Sequence, residues 1–291
     1  MIVNSYGNKT KGIGFGDFLR GTLACSQLCE IYNIKFDVDL RHHPVGKWLD
    51  IDYTFDKSEK SDILDLQDIG DMSLQALRDK IIFEHELYLL ESNQHIYTNV
   101  FPRFPLRQKE RNLIKSLLIP KKEILNSINK ILHDISEYEV IHIRCGDLLS
   151  FSAQVGYEPS IYTVEELIEE LTVIDQIKSN AKREVLVMSD SAEIKKAISK
   201  KYKLRQTSTR PTHSALCKDN SADTLIDFFI TLNAKHIHQF SVFPWGSGFS
   251  NIANWVYDVP LTQHSFSKVN AIDANYFKLL IVNGGSVDEL S

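Results

Sequence analysis

The chain opens as strand, glycine-rich turn, helix, strand, and that order limits its fold more than any other feature. Ile2-Val3-Asn4-Ser5-Tyr6 reads as a short strand and Gly12-Ile13-Gly14-Phe15-Gly16 as a turn. Phe18, Leu19, Thr22, Leu23, Cys25, Cys29 and Tyr32 then recur at helical spacing, which predicts a helix from Asp17 to Tyr32. Ile34 to Leu40 alternates and reads as the next strand. A β-α-β unit of this kind belongs to a parallel sheet covered by helices.

The alternation returns in the second half. Glu139 to Arg144 is strand-like, and Thr163-Val164-Glu165-Glu166 has the spacing of a capping box ahead of an apolar periodic run. Glu184 to Met188 reads as a buried strand ending at Ser189-Asp190-Ser191, with a lysine-rich helix after it. Thr224 to Leu232 is helical, Ala234 to Phe243 strand-like, and a helix carrying Ile252, Trp255 and Val256 follows Pro244 to Ser250. Between the halves lie a short strand at His95 to Val100, prolines at 102 and 105, and a charged helix-like stretch from Arg107 to Ser136. The expected class is α/β, with two Rossmann-like doubly wound domains facing a central cleft. They would span residues 1–137 and 138–262, leaving a tail, 263–291, that could pack back on the first.

Composition narrows the function. Apolar residues make up 43% of 291, enough for a real core. A net charge of −5 without a basic tract gives no footprint for nucleic acid. Four cysteines make no disulfide framework; Cys25 and Cys29 share a helix face and read as buried thiols. No signal peptide is visible, and no apolar run reaches the roughly 18 residues of a membrane span. A soluble, cytoplasmic protein is expected.

In parallel α/β sheets, ligands bind beyond the carboxyl ends of the strands. Three segments of the second half fall there. Arg144, just before Cys145-Gly146-Asp147, could grip a diphosphate through paired N–H···O bonds, with Asp147 orienting it; a surface Arg–Asp pair is the plainer reading. Asp190 could accept from the N–H edge of a guanine, or cap the helix that follows. Ser247 and Gly248 offer backbone N–H groups at a helix start, an anion site, or else form a simple turn capped by Ser250. In the first half, Gly12, Gly14 and Gly16 come close to a dinucleotide fingerprint but do not fit it. Asp17 would repel a pyrophosphate. It could instead act as general base toward an acceptor hydroxyl, or merely favour a helix start. Asp37-Val38-Asp39 has the spacing of a metal-binding pair but lies within a strand, and His236 and His238 share a strand face without a third ligand, so no metal is expected.

Taken in order, these segments resemble the superfamily of α1,2-, α1,6- and protein O-fucosyltransferases. His142-Ile143-Arg144-Cys145-Gly146-Asp147 looks like its His-x-Arg-x-Gly-Asp motif, with Cys145 where a second Arg is frequent. Val187-Met188-Ser189-Asp190-Ser191 is similar to the second motif, with Ser191 at a position that is often acidic. Leu225-Ile226-Asp227-Phe228-Phe229 through Ser247-Gly248-Phe249-Ser250 looks like the third, and Gly14-Phe15-Gly16-Asp17 resembles the family's N-terminal loop, where Asn is common at the position of Asp17. The resemblance implies a GT-B type fold and an inverting, metal-independent transfer of a sugar, L-fucose from GDP-fucose, to a glycan hydroxyl. It needs no cofactor beyond this donor substrate. Arg144 and Asp17 would be catalytic. The donor would lie against His142, Arg144, Asp147, Ser189, Asp190, Ser247, Gly248, Phe249 and Ser250, with Gly14, Phe15 and Gly16 near the sugar. Two alternatives stand beside it. One is a nicotinamide-dependent oxidoreductase using Asp37 or Asp39 on a ribose. The other is an inactive glycan binder, to which the departures at Cys145 and Ser191 point; a different GDP- or UDP-sugar is an alternative donor.

Overall fold

The computed structural model describes residues 1–6, 14–55, 62–66, 74–145, 163–207, 209, 221–241 and 246–266. The chain divides into two compact units, with the division between Lys121 and Lys122. The first contains β1 (Ile2–Ser5), α1 (Phe15–Ile31), β2 (Phe36–Asp39), β3 (Leu64–Asp65), α2 (Leu74–Arg78), β4 (Gln94–Tyr97) and α3 (Gln108–Leu117). Its strands lie in the order β2-β1-β4-β3, all parallel. Helix α1 starts two residues before the expected Asp17, with Gly14 as its N-cap and Gly16 inside its first turn. It runs so close to the end of β4 that a Cβ on Gly21 would stand 1.9 Å from the Thr98 carbonyl oxygen. Buried Ile2, Ala24, Cys25, Leu28, Cys29, Leu77 and Ile96 form its core.

The helical stretch expected over 107–136 is two helices, α3 and α4 (Lys122–Ile131), because Pro120 lacks the N–H a continuous helix needs. The break is also the domain boundary, which falls at 121 and not at 137. Asp50 N–H bonds to Ile119 O (2.8 Å) and Lys121 N–H to Trp48 O (2.9 Å), tying residues 119–121 to the first unit. Beyond them, Arg205 donates to Ile131 O (2.9 Å) and pairs with Asp134 (2.8 Å), tying α4 and its exit to the second.

The second unit adds β5 (Tyr138–Arg144), α5 (Val164–Glu170), α6 (Val173–Asn180), β6 (Glu184–Ser189), α7 (Ala192–Tyr202), β7 (Arg205–Gln206), α8 (Ser221–Leu232), β8 (Ile237–Ser241), α9 (Gly248–Tyr257) and β9 (Leu261–Ser265). The sheet order β7-β6-β5-β8-β9 is again wholly parallel. The expected end of this domain at 262 therefore cuts through an edge strand, and the remainder of the tail, beyond Phe266, lies outside the described residues. The capping box at α5 is formed by both bonds, Glu166 N–H to Thr163 Oγ1 (3.2 Å) and Thr163 N–H to Glu166 Oε2 (2.9 Å). One face of the sheet, with Ile141, Ile143, Val187 and Phe240, packs on Leu167, Leu171, Ile174, Ile194 and Ile198 of α5, α6 and α7. Period-two alternation sends Arg144, His142, Met188 and Gln239 to the other face, where α8 and α9 lie. Among the described residues no helix is long and apolar enough to cross a membrane.

Candidate functional site

The residues singled out in the sequence fall into two groups, one in each unit. The larger group sits at the carboxyl edge of the second sheet. Parallel register sets Ile143 beside Ser189, so the last residues of β5 and β6 emerge together. There the Arg144 guanidinium pairs with Asp190 Oδ2, both side chains being largely buried, while Asp190 Oδ1 accepts from Cys145 N–H at 3.0 Å. Asp190 thus helps to orient the guanidinium; Asp147, of which the same part was expected, lies outside the described residues. With both oxygens already hydrogen-bonded, Asp190 is less suited to reading a base than the sequence implied. It does not cap α7 either. Ser191 does, accepting from Ile194 N–H at 3.3 Å, while Ser189 Oγ accepts from Ser191 N–H at 3.1 Å and so is turned into the bend.

Helix α9 enters at the same edge. Ser247 is its N-cap, without a side-chain cap bond, and its first turn holds no acidic residue. The first N–H groups of such a helix have no intrahelical partner and carry the positive end of its dipole. One expected anion donor is already used: Ser247 N–H is accepted by Gln239 Oε1 at 3.0 Å. Gly246 makes that contact possible, since at its φ of 80° a Cβ would come within 2.1 Å of Gln239 Nε2. Ser250 is not a cap either; its hydroxyl lies 2.7 Å from His142 Nδ1. Burial, with Arg144 adding to it and Asp190 opposing, brings His142 down to about 4, so its imidazole is neutral at pH 7. Phe249 fixes the helix start against Phe228, at 4.9 Å between ring centroids. The arrangement offers a fixed guanidinium, a neutral imidazole and the N–H groups of Gly248 and Phe249, which suits an anion such as a diphosphate.

Sequence reasoning gave no separate part to two carboxyl-edge neighbours. Asp227 on α8 and Lys195 on α7 are both buried, and Asp227 Oδ2 has no hydrogen-bond partner among the described residues. A signal for Lys195 was present: it shares a 195, 198, 202 stripe with Ile198 and Tyr202, which both face the core.

The smaller group belongs to the first unit. Phe15 is wholly buried, its ring 5.2 Å from that of His43, so of the Gly14 to Asp17 segment the exposed functional group is the Asp17 carboxylate. Arg20 one turn later holds it at 3.1 Å, and Arg20 is itself fixed by Asn99 O (2.8 Å) and the face of Phe101 (4.0 Å). The Asp37–Asp39 pair is engaged elsewhere. Asp39 grips Arg41 through both oxygens, and Asp37 accepts from Val38 N–H (2.7 Å) and Thr54 N–H (2.9 Å), so both carboxylates are engaged within the first unit. His236 and His238 stack at 4.5 Å on the sheet face opposite Gln239, with His238 directed to Glu139 (3.4 Å) and His264 (3.5 Å). Among the described residues no three His, Cys, Asp or Glu side chains group as metal ligands would.

Two parallel α/β units in sequence match the GT-B type of fold. Solved structures of fucosyltransferases share it along most of this chain. The NodZ alpha-1,6-fucosyltransferase soaked with GDP-fucose is similar at a TM-score of 0.53 and 14% identity, over 92% of this chain and 95% of that one. A selenomethionine form of NodZ from Bradyrhizobium gives 0.54 and 12%, over 92% and 96%. An Arabidopsis thaliana FUT1 mutant in complex with GDP gives 0.55 and 11%, over 91% and 70%. No protein-family model and no curated protein matches the sequence.

Proposed function

We propose that this protein is a glycosyltransferase that takes its sugar from a nucleoside diphosphate held at the carboxyl edge of the second unit. The observation that carries the proposal is Arg144, fixed by Asp190 beside a helix N-terminus that has no acidic residue in its first turn. Fixed donors aimed at a charge that grows during reaction are the main source of catalysis in such transfers. The fold is that of enzymes whose structures were solved with GDP-fucose and with GDP, which supports GDP-fucose as donor; the acceptor in this reading is a glycan hydroxyl.

The bond from the sugar's anomeric carbon to the diphosphate breaks, and its electron pair leaves on the phosphate oxygen. Arg144 and the Gly248 and Phe249 N–H groups stabilise that oxygen. The sugar passes through an oxocarbenium-like state, and the acceptor oxygen attacks from the opposite side, with inversion. The hydroxyl proton goes to a base, for which Asp17 is the candidate. Asp227, whose buried Oδ2 has no hydrogen-bond partner among the described residues, replaces Asp190 as the carboxylate that receives the base's N–H edge. With Arg144 and backbone N–H groups opposing the charge, no divalent ion is required, and turnover should persist in EDTA.

Thermal unfolding with GDP-fucose, GDP-mannose, UDP-sugars and NADH tests the reading. A ligand at ~100 times its dissociation constant adds about 2.7 kcal/mol, a shift of several degrees. The expected result is a shift with one nucleotide sugar that is lost in Arg144→Ala. A shift with NADH alone would sink it.

A further inference from the structure

Under the carboxyl edge of the second sheet, four polar side chains form a buried chain, of which the transfer chemistry above uses only Asp227. Lys195, Thr207, Thr209 and Asp227 are each less than 5% exposed. The Lys195 ammonium has three N–H donors and three acceptors: Thr207 Oγ1 and Thr209 Oγ1, each at 3.2 Å, and the Thr209 carbonyl. The Thr209 hydroxyl donates its single proton to Asp227 Oδ1 at 2.6 Å. Its lone pairs then receive Lys195 and the Thr207 hydroxyl, which lies at 2.7 Å. Every group is satisfied except Asp227 Oδ2, where the chain ends.

A buried ion network that served packing alone would be expected to close on itself. An open carboxylate oxygen carries the full cost of desolvation, and apolar side chains could fill the same volume without it. The open end is also well placed. The residue after Asp227 is Phe228, which packs on Phe249 at the start of α9, and Lys195 N–H bonds to the carbonyl of Ser191, the residue after Asp190. Both ends of the network are therefore joined through the backbone to segments that carry groups assigned to the nucleotide.

We propose that Lys195, acting through the Thr209 hydroxyl, is a positioning residue that holds Asp227 as a carboxylate with Oδ2 turned toward the N–H edge of the donor's base. This rests on the nucleotide-sugar reading above. Burial pushes the Asp227 carboxyl up to about 6, with Lys195, Thr209 and Thr207 pulling it back and Asp223, one turn earlier on α8, adding to the rise. Among the described residues, Lys195 and Asp223 are the charged groups that act on it. Without the lysine the carboxyl would take up a proton at higher pH and lose its capacity to accept there.

The test is the affinity for GDP-fucose, by calorimetry from pH ~5 to ~8. Its diphosphate is esterified at both ends and does not titrate in this range. In the wild type, affinity should fall as the solution is acidified through about 6. Lys195→Met should move that fall to higher pH while leaving tight binding at the alkaline end. Thr209→Val should move it the same way, and it serves if the lysine variant does not fold. Asp227→Asn should remove the pH dependence and weaken binding on the order of tenfold. If both folded variants keep the wild-type midpoint, the positioning role is wrong. If Asp227→Asn binds as the wild type does while Arg144→Ala does not bind, Lys195 loses its role but the donor site stands. If folded wild type binds no GDP-fucose at any pH, this inference falls together with the donor assignment.

Discussion

Helices α1 and α9 occupy corresponding places in the two units, each entered from the carboxyl end of a parallel strand, yet their first turns have opposite character. At α1, Asp17 already places a carboxylate near the positive end of the dipole, held there by Arg20. At α9 the first turn is free of acids, and Arg144 emerges from the adjacent strand. One fold, repeated, thus presents a carboxylate at this helix start in the first unit and a helix start free of acids beside a guanidinium in the second. The topology makes both edges possible; the sign of charge in one helical turn decides what each can hold.

The sharpest way to break this contrast is Asp17→Asn. If Asp17 is the base, kcat should drop by about 10²- to 10⁴-fold, while donor affinity by calorimetry stays at the wild-type value. A matching loss of donor affinity would put Asp17 on the nucleotide and erase the division of labour. The reverse experiment gives α9 the acid that α1 has. Ser247→Asp should preserve or raise thermal stability, since Asp is a favoured N-cap. It should weaken donor binding on the order of tenfold by competing for the same N–H groups. Unchanged affinity would show that the phosphates do not sit at this helix.

The smallest effect concerns acid. Burial lowers His43 in the first unit to about 3 and, with a smaller contribution from Arg144, His142 in the second to about 4. Both folded values lie below the ordinary 6.5, so the unfolded chain binds protons first. Their contribution to stability is complete above that value and is lost as pH falls from it toward 3 or 4. The slope cannot exceed about 1.4 kcal/mol per pH unit for each histidine. Urea midpoints measured downward from neutral pH should show the loss, and His43→Gln should flatten part of it. A wild-type midpoint that did not change with acid would contradict the burial of both rings.

Much of this was legible because it is local. The Thr163 capping box, the Glu184–Ser189 strand and the start of α9 at Gly248 depend on residues close in sequence, and each forms where the pattern places it. Strand β9 escaped because Leu261-Thr262-Gln263-His264-Ser265 has no apolar alternation, and an edge strand with exposed residues needs none. The partner of Arg144 could not be read because it lies 46 residues away and only the parallel register brings it close. Burial of Lys195 was written in its stripe, but the meaning of that burial depends on Thr207 and Thr209 after β7 and on Asp227 of α8, two segments further along the chain.

The pairing of β5 also fixes the order in which this edge can be assembled. Val140 pairs with Leu186 on one side and with Ile237 on the other, roughly twice as far along the chain. Closing the longer loop costs more entropy, and non-local parallel pairing is slow. During refolding, Arg144 and Asp190 should come together on a partial sheet before β8 docks and brings α9 with it. That early species has the guanidinium but not the helix, so it should gain little from the nucleotide. The ligand would then slow unfolding more than it speeds folding.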